Sequence, residues 1–174
     1  HILLDEKHHV ALSPDGHGGT LLALARSGAL KDMADRGIEH LSYIQVDNPL
    51  VKPIDPLFIG LHDQTGSEMS SKTISKADDL EKVGNFVQAD GRVLVIEYSD
   101  LPEEMARERT ADGSRRFDAG SIAIHVLRRR FVERLTANPD HFALPWHRAE
   151  KKVAYVNAEG QRVTPDKPNA VKLE

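Results

Sequence analysis

The sequence contains no cysteine, few aromatic residues and no excess of positive charge. The absence of cysteine among 174 residues excludes disulfides, thiolate metal sites and a cysteine nucleophile. A net charge of −4 leaves no basic field for nucleic acid or an anionic membrane, so phosphate binding must be local. No apolar run approaches the roughly 18 residues that a membrane span needs, and no signal peptide is visible. The expected compartment is therefore the cytoplasm.

The remaining composition is that of an ordinary globular protein. Hydrophobic residues make up 40% and charged residues 29%, and the length predicts about one domain with its own core. The chain opens with His1-Ile2-Leu3-Leu4 and closes in residues 171–174, and both ends are strand-like. Natural termini are more often polar and frayed. Residues 1–174 are therefore predicted to be the central part of a single domain, incomplete at both ends.

A glycine-rich segment, "SPDGHGGT", covers Ser13 to Thr20 and has three glycines within four residues. Glycines let the backbone approach a ligand closely, and a following helix presents free N–H groups. The spacing matches neither the P-loop nor the dinucleotide fingerprint. The segment is thus either a ligand-binding loop or a turn that needs positive φ. A helix is predicted after it, over roughly Thr20 to Arg36.

Turn and cap signals order the rest of the chain. Asp55 and Pro56 predict the start of a helix that ends at Gly66. Asp90-Gly91 and Glu159-Gly160 predict the turns of two hairpins. Because strands alternate with helices in the first half and hairpins interrupt the second, the pattern predicts an α/β fold with a mixed sheet.

Polar loops follow several of the predicted strands, where ligands of α/β sheets usually bind. They are Pro14 to Gly19, Asp47-Asn48, Glu97 to Asp100, and Asp118 to Ser121. Asp47 could be the ligand of a hard cation or a ribose hydroxyl, or a turn cap. Glu97 and Tyr98 could hold sugar hydroxyls, or form a solvated strand exit. The histidines are scattered, and none shows the helical His-x₃-His spacing of a zinc site.

Five segments in family order resemble the eukaryotic-type UDP-sugar pyrophosphorylases, above all their UDP-N-acetylglucosamine branch. These segments are "VALSPDGHGG", "VDNPLVKPIDPLFIG", "VIEYSDL", "DGSRRFDAGSIAIH" and "KKVAYVNAEGQRVTPDKPNAVKLE". The resemblance implies a Rossmann-like nucleotidyltransferase fold of the glycosyltransferase-A type, with hairpin insertions in its mixed sheet. It also implies transfer of UMP from UTP to a sugar 1-phosphate, first of all N-acetylglucosamine 1-phosphate, with release of pyrophosphate.

The resemblance further implies roles for individual residues. Asp47 would lie beside the UTP α-phosphate and its Mg²⁺, and Lys172 would reach the phosphates; these two are the expected catalytic residues. Gly16 would lie against the uridine, and His17 would face the sugar or its phosphate. Ser121 would approach the sugar's 2-substituent. The expected substrate-binding residues are Gly16, His17, Glu97, Tyr98, Gly120 and Ser121.

Some residues depart from the acetylglucosamine branch. His17 stands where that branch has asparagine, and a Gly-His-Gly sequence is more similar to the UDP-glucose and broad UDP-sugar branches. Ser121 and Asp118 replace two further asparagines. The glycine-rich loop that cradles the triphosphate in the family is absent from these residues. A UDP-glucose or broad-specificity enzyme and a non-catalytic UDP-sugar-binding module thus stay open, and the 174 residues alone are expected to turn over little or nothing.

Overall fold

The computed structural model describes residues 2–13, 16–138, 142, 144 and 148–173, apart from the side chains of residues 172 and 173. The chain divides into two compact units. The terminal unit comprises His1–Arg36 and Val132–Glu174, and the central unit comprises Gly37–Phe131. In the described part of the chain, no helix is long and apolar enough to cross a membrane.

The described residues form short helices and strands. The strands are β1 (Leu4–Glu6), β2 (His9–Val10), β3 (His40–Tyr43), β4 (Met69–Ser75), β5 (Asn85–Ala89), β6 (Arg92–Ile96), β7 (Ala119–Arg128), β8 (Arg148–Lys151), β9 (Tyr155–Val156), β10 (Arg162–Val163) and β11 (Ala170–Leu173). The helices are α1 (Gly16–Arg26), α2 (Ala29–Asp35), α3 (Pro56–Gln64), α4 (Glu103–Ala106) and α5 (Arg129–Leu135). This mixture of helices and sheets confirms the predicted α/β class.

The terminal unit contains three small antiparallel pairs of strands, β1 with β2, β9 with β10, and β8 with β11. Its helical segment differs from the prediction of one helix from Thr20 to Arg36. Helix α1 already begins at Gly16, so much of the glycine segment lies in its first turn. Glycine is a poor helix former, but packing explains its place here: a Cβ on Gly18 would lie 2.9 Å from Leu144 Cδ1. The helix is also interrupted, because Gly28 takes a left-handed φ of 79°.

The central unit is built on a five-stranded sheet with β7 in its middle. Strand β4 pairs along nearly the whole of β7, whereas β3 pairs with residues 125–128 and β5 with Gly120. Strands β3 and β5 therefore share the edge of β7 opposite β4. A bulge interrupts the β4–β7 register, and Ala123 within it has φ 50°. Every strand pair among the described residues is antiparallel, so the parallel pairs of the expected mixed sheet do not occur there.

Two predictions of local structure, a helix start and a hairpin turn, can be compared with the central unit. The Asp55 carboxylate caps α3 by accepting hydrogen bonds from the N–H groups of Leu57 (3.1 Å) and Phe58 (3.3 Å). The first hairpin turns through Asp90 and Gly91, whose φ angles of 51° and 73° are those of a type I′ turn. These two predictions are confirmed. That all 174 residues belong to a single domain stays a prediction.

Candidate functional site

The Glu97, Gly84 and Ser121 positions converge in the central unit, and this group is called the Gly84 corner below. The Ser121 N–H donates a 2.7 Å hydrogen bond to the Gly84 carbonyl. A Cβ built on Gly84 would lie 3.6 Å from Glu97 Oε1, 3.6 Å from Ser121 Cβ and 2.8 Å from Val95 Cγ1. Since the last distance is too short for a real contact, any larger residue here would force the Val95 side chain to shift. The bare Gly84 backbone therefore lies close to a carboxylate and to a hydroxyl-bearing residue.

The hairpin accounts for the meeting of Gly84 and Glu97. The Asp90-Gly91 turn sets a register in which Asn85 lies opposite Ile96. Gly84 and Glu97 continue these strands by one residue each, so the turn brings them side by side. A local turn is thus enough to bring together these two residues, which are separated in the sequence.

Gly120 joins this corner to the central strand. It is buried and lies opposite Asn85 in the β5–β7 pair. A Cβ on Gly120 would lie 3.1 Å from Val83 Cγ2 and 3.3 Å from the Ile74 carbonyl oxygen, so the backbones approach closely here. The structure thus brings together three of the expected substrate-binding residues, Glu97, Gly120 and Ser121.

Glu97 directly follows β6 and begins a turn. Its carbonyl accepts hydrogen bonds from the N–H groups of Asp100 (2.9 Å) and Leu101 (3.1 Å), which fix the backbone beyond β6. The residue is half-buried, whereas the next one, Tyr98, is 46% exposed. A carboxylate is a strong acceptor and a phenol both donates and accepts, so the pair has the chemistry to bind hydroxyl groups.

Asp47 lies on the turn that follows β3. Asn48 organises this turn: its N–H donates to the Gln45 carbonyl at 3.3 Å, and its Oδ1 accepts from the Leu50 N–H at 3.2 Å. The capping role therefore belongs to Asn48, and the carboxylate of Asp47 is exposed. Among the described residues, no three His, Asp or Glu side chains are grouped so as to hold a metal ion.

The other expected residues belong to the terminal unit. Gly16 has φ 74° and begins α1, and His17 is exposed in the first turn of that helix. A helix N-terminus carries free N–H groups that suit an anion. Lys172 lies in β11 opposite Ala149, but its side chain is outside the described part of the structure. Pro14 and Asp15 of the predicted glycine loop are also outside it.

A network of hydrogen bonds and ion pairs around Arg109 and Arg115 involves residues that come shortly before Gly84 and Ser121 in the sequence. The Arg115 guanidinium donates to Asp79 Oδ1 at 2.8 Å, to the Lys76 carbonyl at 2.7 Å and to Asp118 Oδ1 at 3.3 Å. Hydrogen bonds from Arg109 and Arg115 lower the pKa of Asp79 to about 2. The pKa of Asp118 is lowered by hydrogen bonds with Ser75 and Arg115. Asp118, in a loop that the sequence marked for ligands, is thus held in an ion pair.

Sequence reasoning missed three residues here: Lys76, Gly84 and Asn85. Lys76 is 3% exposed and Asn85 is 1% exposed. Lys76 Nζ donates to Asn85 Oδ1 at 2.9 Å. A glycine just before a strand can mark a close backbone approach, which was the one available signal. The lysine and asparagine carry no such signal, because each residue type is usually exposed.

A family model described as UTP–glucose-1-phosphate uridylyltransferase matches residues 2–169. The chain belongs to this uridylyltransferase family. The human "UDP-N-acetylhexosamine pyrophosphorylase-like protein 1" is 41% identical over 99% of this chain, and 34% of that protein is covered. The "UDP-N-acetylglucosamine pyrophosphorylase" of Saccharomyces cerevisiae is 35% identical over all of this chain, and 36% of it is covered. The resemblance found in the sequence is confirmed.

Solved structures of the uridylyltransferase family share the fold. A crystal structure of an Entamoeba histolytica protein described as a UDP-N-acetylglucosamine pyrophosphorylase is 35% identical, with a TM-score of 0.84. It matches 99% of this chain and 42% of its own. A Trypanosoma brucei structure with 24% identity and a TM-score of 0.80 also shares the fold. The chain spans about a third of the length of the curated relatives it matches.

Proposed function

We propose that the protein containing this chain transfers UMP from UTP to a sugar 1-phosphate, and that its substrate is N-acetylglucosamine 1-phosphate. Family membership and the names of the human and yeast relatives support the reaction class. The observation that carries the proposal is the Gly84 corner, where the Glu97 carboxylate and Ser121 lie beside the bare backbone of Gly84. A carboxylate next to a hydroxyl-bearing residue has the chemistry to bind the hydroxyl groups of a sugar ring.

The reaction needs no protein nucleophile. A phosphate oxygen of the sugar 1-phosphate attacks the α-phosphorus of UTP and forms the new P–O bond. The bond from the α-phosphorus to the bridging oxygen breaks, and pyrophosphate leaves with the electron pair. Because charge is carried by nonbridging oxygens throughout, positioning and charge neutralisation supply the catalysis. A chain without cysteine is consistent with this chemistry.

The sugar would be held by the central unit. Glu97 accepts hydrogen bonds from ring hydroxyls, and Tyr98 adds a phenol that can donate or accept. Ser121 approaches the 2-substituent, and Gly120 allows the strands to come close enough to form the corner. These assignments favour a small polar sugar over an extended apolar substrate.

The nucleotide and phosphates would be held by the remaining residues. By the family resemblance, Gly16 would lie against the uridine, His17 would face the sugar or its phosphate, and Lys172 would reach the phosphates. Asp47 has an exposed carboxylate, and Mg²⁺ in nucleotide sites is usually held by one or two carboxylates together with phosphates and water, so the residue fits. When bound, Mg²⁺ would neutralise charge on the phosphate oxygens. That the reaction takes place in the cytoplasm stays a prediction.

The test is pyrophosphate release from UTP and Mg²⁺ by the longest natural form of the protein. The panel contains the 1-phosphates of N-acetylglucosamine, N-acetylgalactosamine, glucose and galactose, and we expect a preference for the acetylated sugars. Activity with glucose or galactose alone would support the second candidate, a UDP-glucose or broad-specificity enzyme, which the Gly-His-Gly sequence around His17 favours. No release with any sugar, but binding of UDP-sugar, would replace both by the non-catalytic binding module.

A further inference from the structure

Lys76 is a buried cation with no acidic partner in the described part of the chain. The residue follows β4 and is 3% exposed. Buried lysines are rare and are usually paired with carboxylates. Among the described residues, however, the acceptors of Lys76 Nζ are two neutral oxygens, Asn85 Oδ1 at 2.9 Å and the Asp79 carbonyl at 3.1 Å. An arrangement with such a desolvation cost calls for an explanation.

The Asn85 side chain connects Lys76 to the two backbone segments that form the Gly84 corner. Its Nδ2 donates to the Val83 carbonyl at 3.2 Å and to the Ile96 carbonyl at 3.4 Å. Val83 immediately precedes Gly84, and Ile96 immediately precedes Glu97. One buried amide therefore ties together the two backbone segments that form the corner.

The backbone of Lys76 is in turn held by the Arg115 side chain. The Lys76 carbonyl accepts from Arg115 Nη1 at 2.7 Å, and Arg115 Nε also donates to Asp79 Oδ1 at 2.8 Å. The segment from Lys76 to Asp79 is thus anchored by an arginine that is also paired with Asp118, just before β7. The backbone that carries the Lys76 side chain is therefore restrained by hydrogen bonds.

We propose that Lys76 and Asn85 are positioning residues of the sugar 1-phosphate site, and the pair is called the brace. It sets the distance between Gly84 and Glu97, and through it the place of the carboxylate that contacts the sugar. This inference rests on the proposed function for the assignment of sugar to the Gly84 corner. The hydrogen bonds of the brace described above run to Val83, Ile96 and Asp79, none of which is expected to bind UTP.

Four variants of the longest natural form of the protein test the brace. Asn85→Leu removes all the side-chain hydrogen bonds of this residue at similar volume, and Asn85→Asp keeps an acceptor for Lys76 but loses both bonds that the amide donates. Lys76→Met combined with Asn85→Leu removes the buried cation and amide together. Ser70→Ala is the matched control, because it removes the partner of the buried His62 (Oγ to Nδ1, 2.8 Å) on the part of β4 opposite Val126, away from Gly120.

The first readout compares the KM for sugar 1-phosphate with the KM for UTP. In all three Asn85 variants we expect the sugar KM to rise about tenfold while the UTP KM changes less than about twofold, because small displacements of binding groups are costly. The double variant removes the buried ammonium together with its side-chain acceptor, so no charge stays buried without a partner, and its Tm should return toward that of the wild type while its sugar KM stays high. Ser70→Ala should lower the Tm without changing either KM. A sugar KM that returns to normal with the Tm would overturn the brace.

The second readout separates failure of the brace from failure of the proposed function. Hydrogen exchange is measured at the Ser121 amide, which donates to the Gly84 carbonyl. We expect exchange roughly tenfold faster in the double variant than in the wild type, with no change in Ser70→Ala. If the wild type releases no pyrophosphate with any sugar, the proposed function fails and this readout decides the brace alone. Unchanged exchange at Ser121 would then refute it.

Discussion

At the scale of single residues, His62 shows how burial alters an ionisable group. It is 1% exposed in the central unit, and its Nδ1 lies 2.8 Å from Ser70 Oγ. Its Nε2 has no hydrogen-bond partner among the described residues, and the ring packs edge-on against His40 at a centroid distance of 5.4 Å. Burial, followed by the charges of His40 and Arg128, lowers the pKa of His62 below its usual value of 6.5. The folded protein therefore favours the neutral imidazole.

This lowered pKa predicts a loss of stability in mild acid. In the unfolded chain His62 binds a proton near pH 6.5, whereas in the folded chain it stays neutral to lower pH. The free energy of unfolding should therefore fall as the pH drops below about 6.5 toward the folded-state pKa. Denaturant titrations between about pH 5 and 8 measure this slope.

A matched pair of variants isolates the contribution of His62. His62→Leu removes the buried titrating group and should flatten the slope, whereas His9→Gln changes a side chain that is 73% exposed and should leave it intact. Equal slopes in wild type and His62→Leu would contradict the assignment. The neighbouring charges of His40, Asp63 and Arg128 are present in both variants, so they do not account for a difference.

At the scale of elements, α3 is a helix whose ends follow from its sequence. Asp55 caps it, Pro56 occupies its first position, and Gly66 follows its end with φ 64°. Lys72 Nζ also donates to Asp55 Oδ2 at 2.6 Å, and this hydrogen bond is the main cause of the lowered pKa of Asp55. The cap thus joins the helix to β4 as well as starting it.

One glycine inside α3 offers a stability prediction. A Cβ on Gly60 meets nothing within 4 Å and the residue has ordinary helical geometry, so Gly60→Ala should raise the free energy of unfolding by about 0.5–1 kcal/mol. Gly91→Ala is the control. It also faces open space but has φ 73°, so it should be destabilising by about 1 kcal/mol. Shifts of the same sign in both variants would show that backbone conformation does not decide the effect.

At the scale of the whole molecule, β6 is an exposed edge. It ends the strand order of the five-stranded sheet, and its apolar residues Val93, Leu94 and Val95 are 70%, 47% and 45% exposed. An apolar strand with an unpaired edge is a template for association with another chain. The 174-residue chain should therefore associate as its concentration rises.

A charge placed on this edge should reduce the association. Val93→Lys is expected to lower the fraction of aggregated chain, measured by light scattering at fixed concentration, because an edge lysine opposes strand pairing. Leu12→Lys is the matched control: Leu12 is 87% exposed but outside any strand. Both variants change the net charge equally, so an equal reduction would point to general apolar exposure instead of the β6 edge.

The features that were predicted correctly depend on neighbours along the chain. Asp55 with Pro56 marked a helix start, and Asp90-Gly91 marked a hairpin, because caps and tight turns are formed by residues a few positions apart. The family resemblance rested on the order of short segments and was confirmed. The predicted roles of the site residues stay predictions, although the structure places Glu97, Gly120 and Ser121 together.

The remaining features depend on contacts between distant segments, which local patterns do not contain. The place of Gly18 inside α1 was missed because the residue that would crowd a side chain there, Leu144, lies far along the chain. The brace was missed because Lys76 and Asn85 are ordinary surface residue types until packing removes them from water. Short-range chemistry in the sequence thus decided the caps, turns and family. Tertiary packing decided which polar groups became buried, and burial is what turns a lysine and an asparagine into a candidate support for the sugar site.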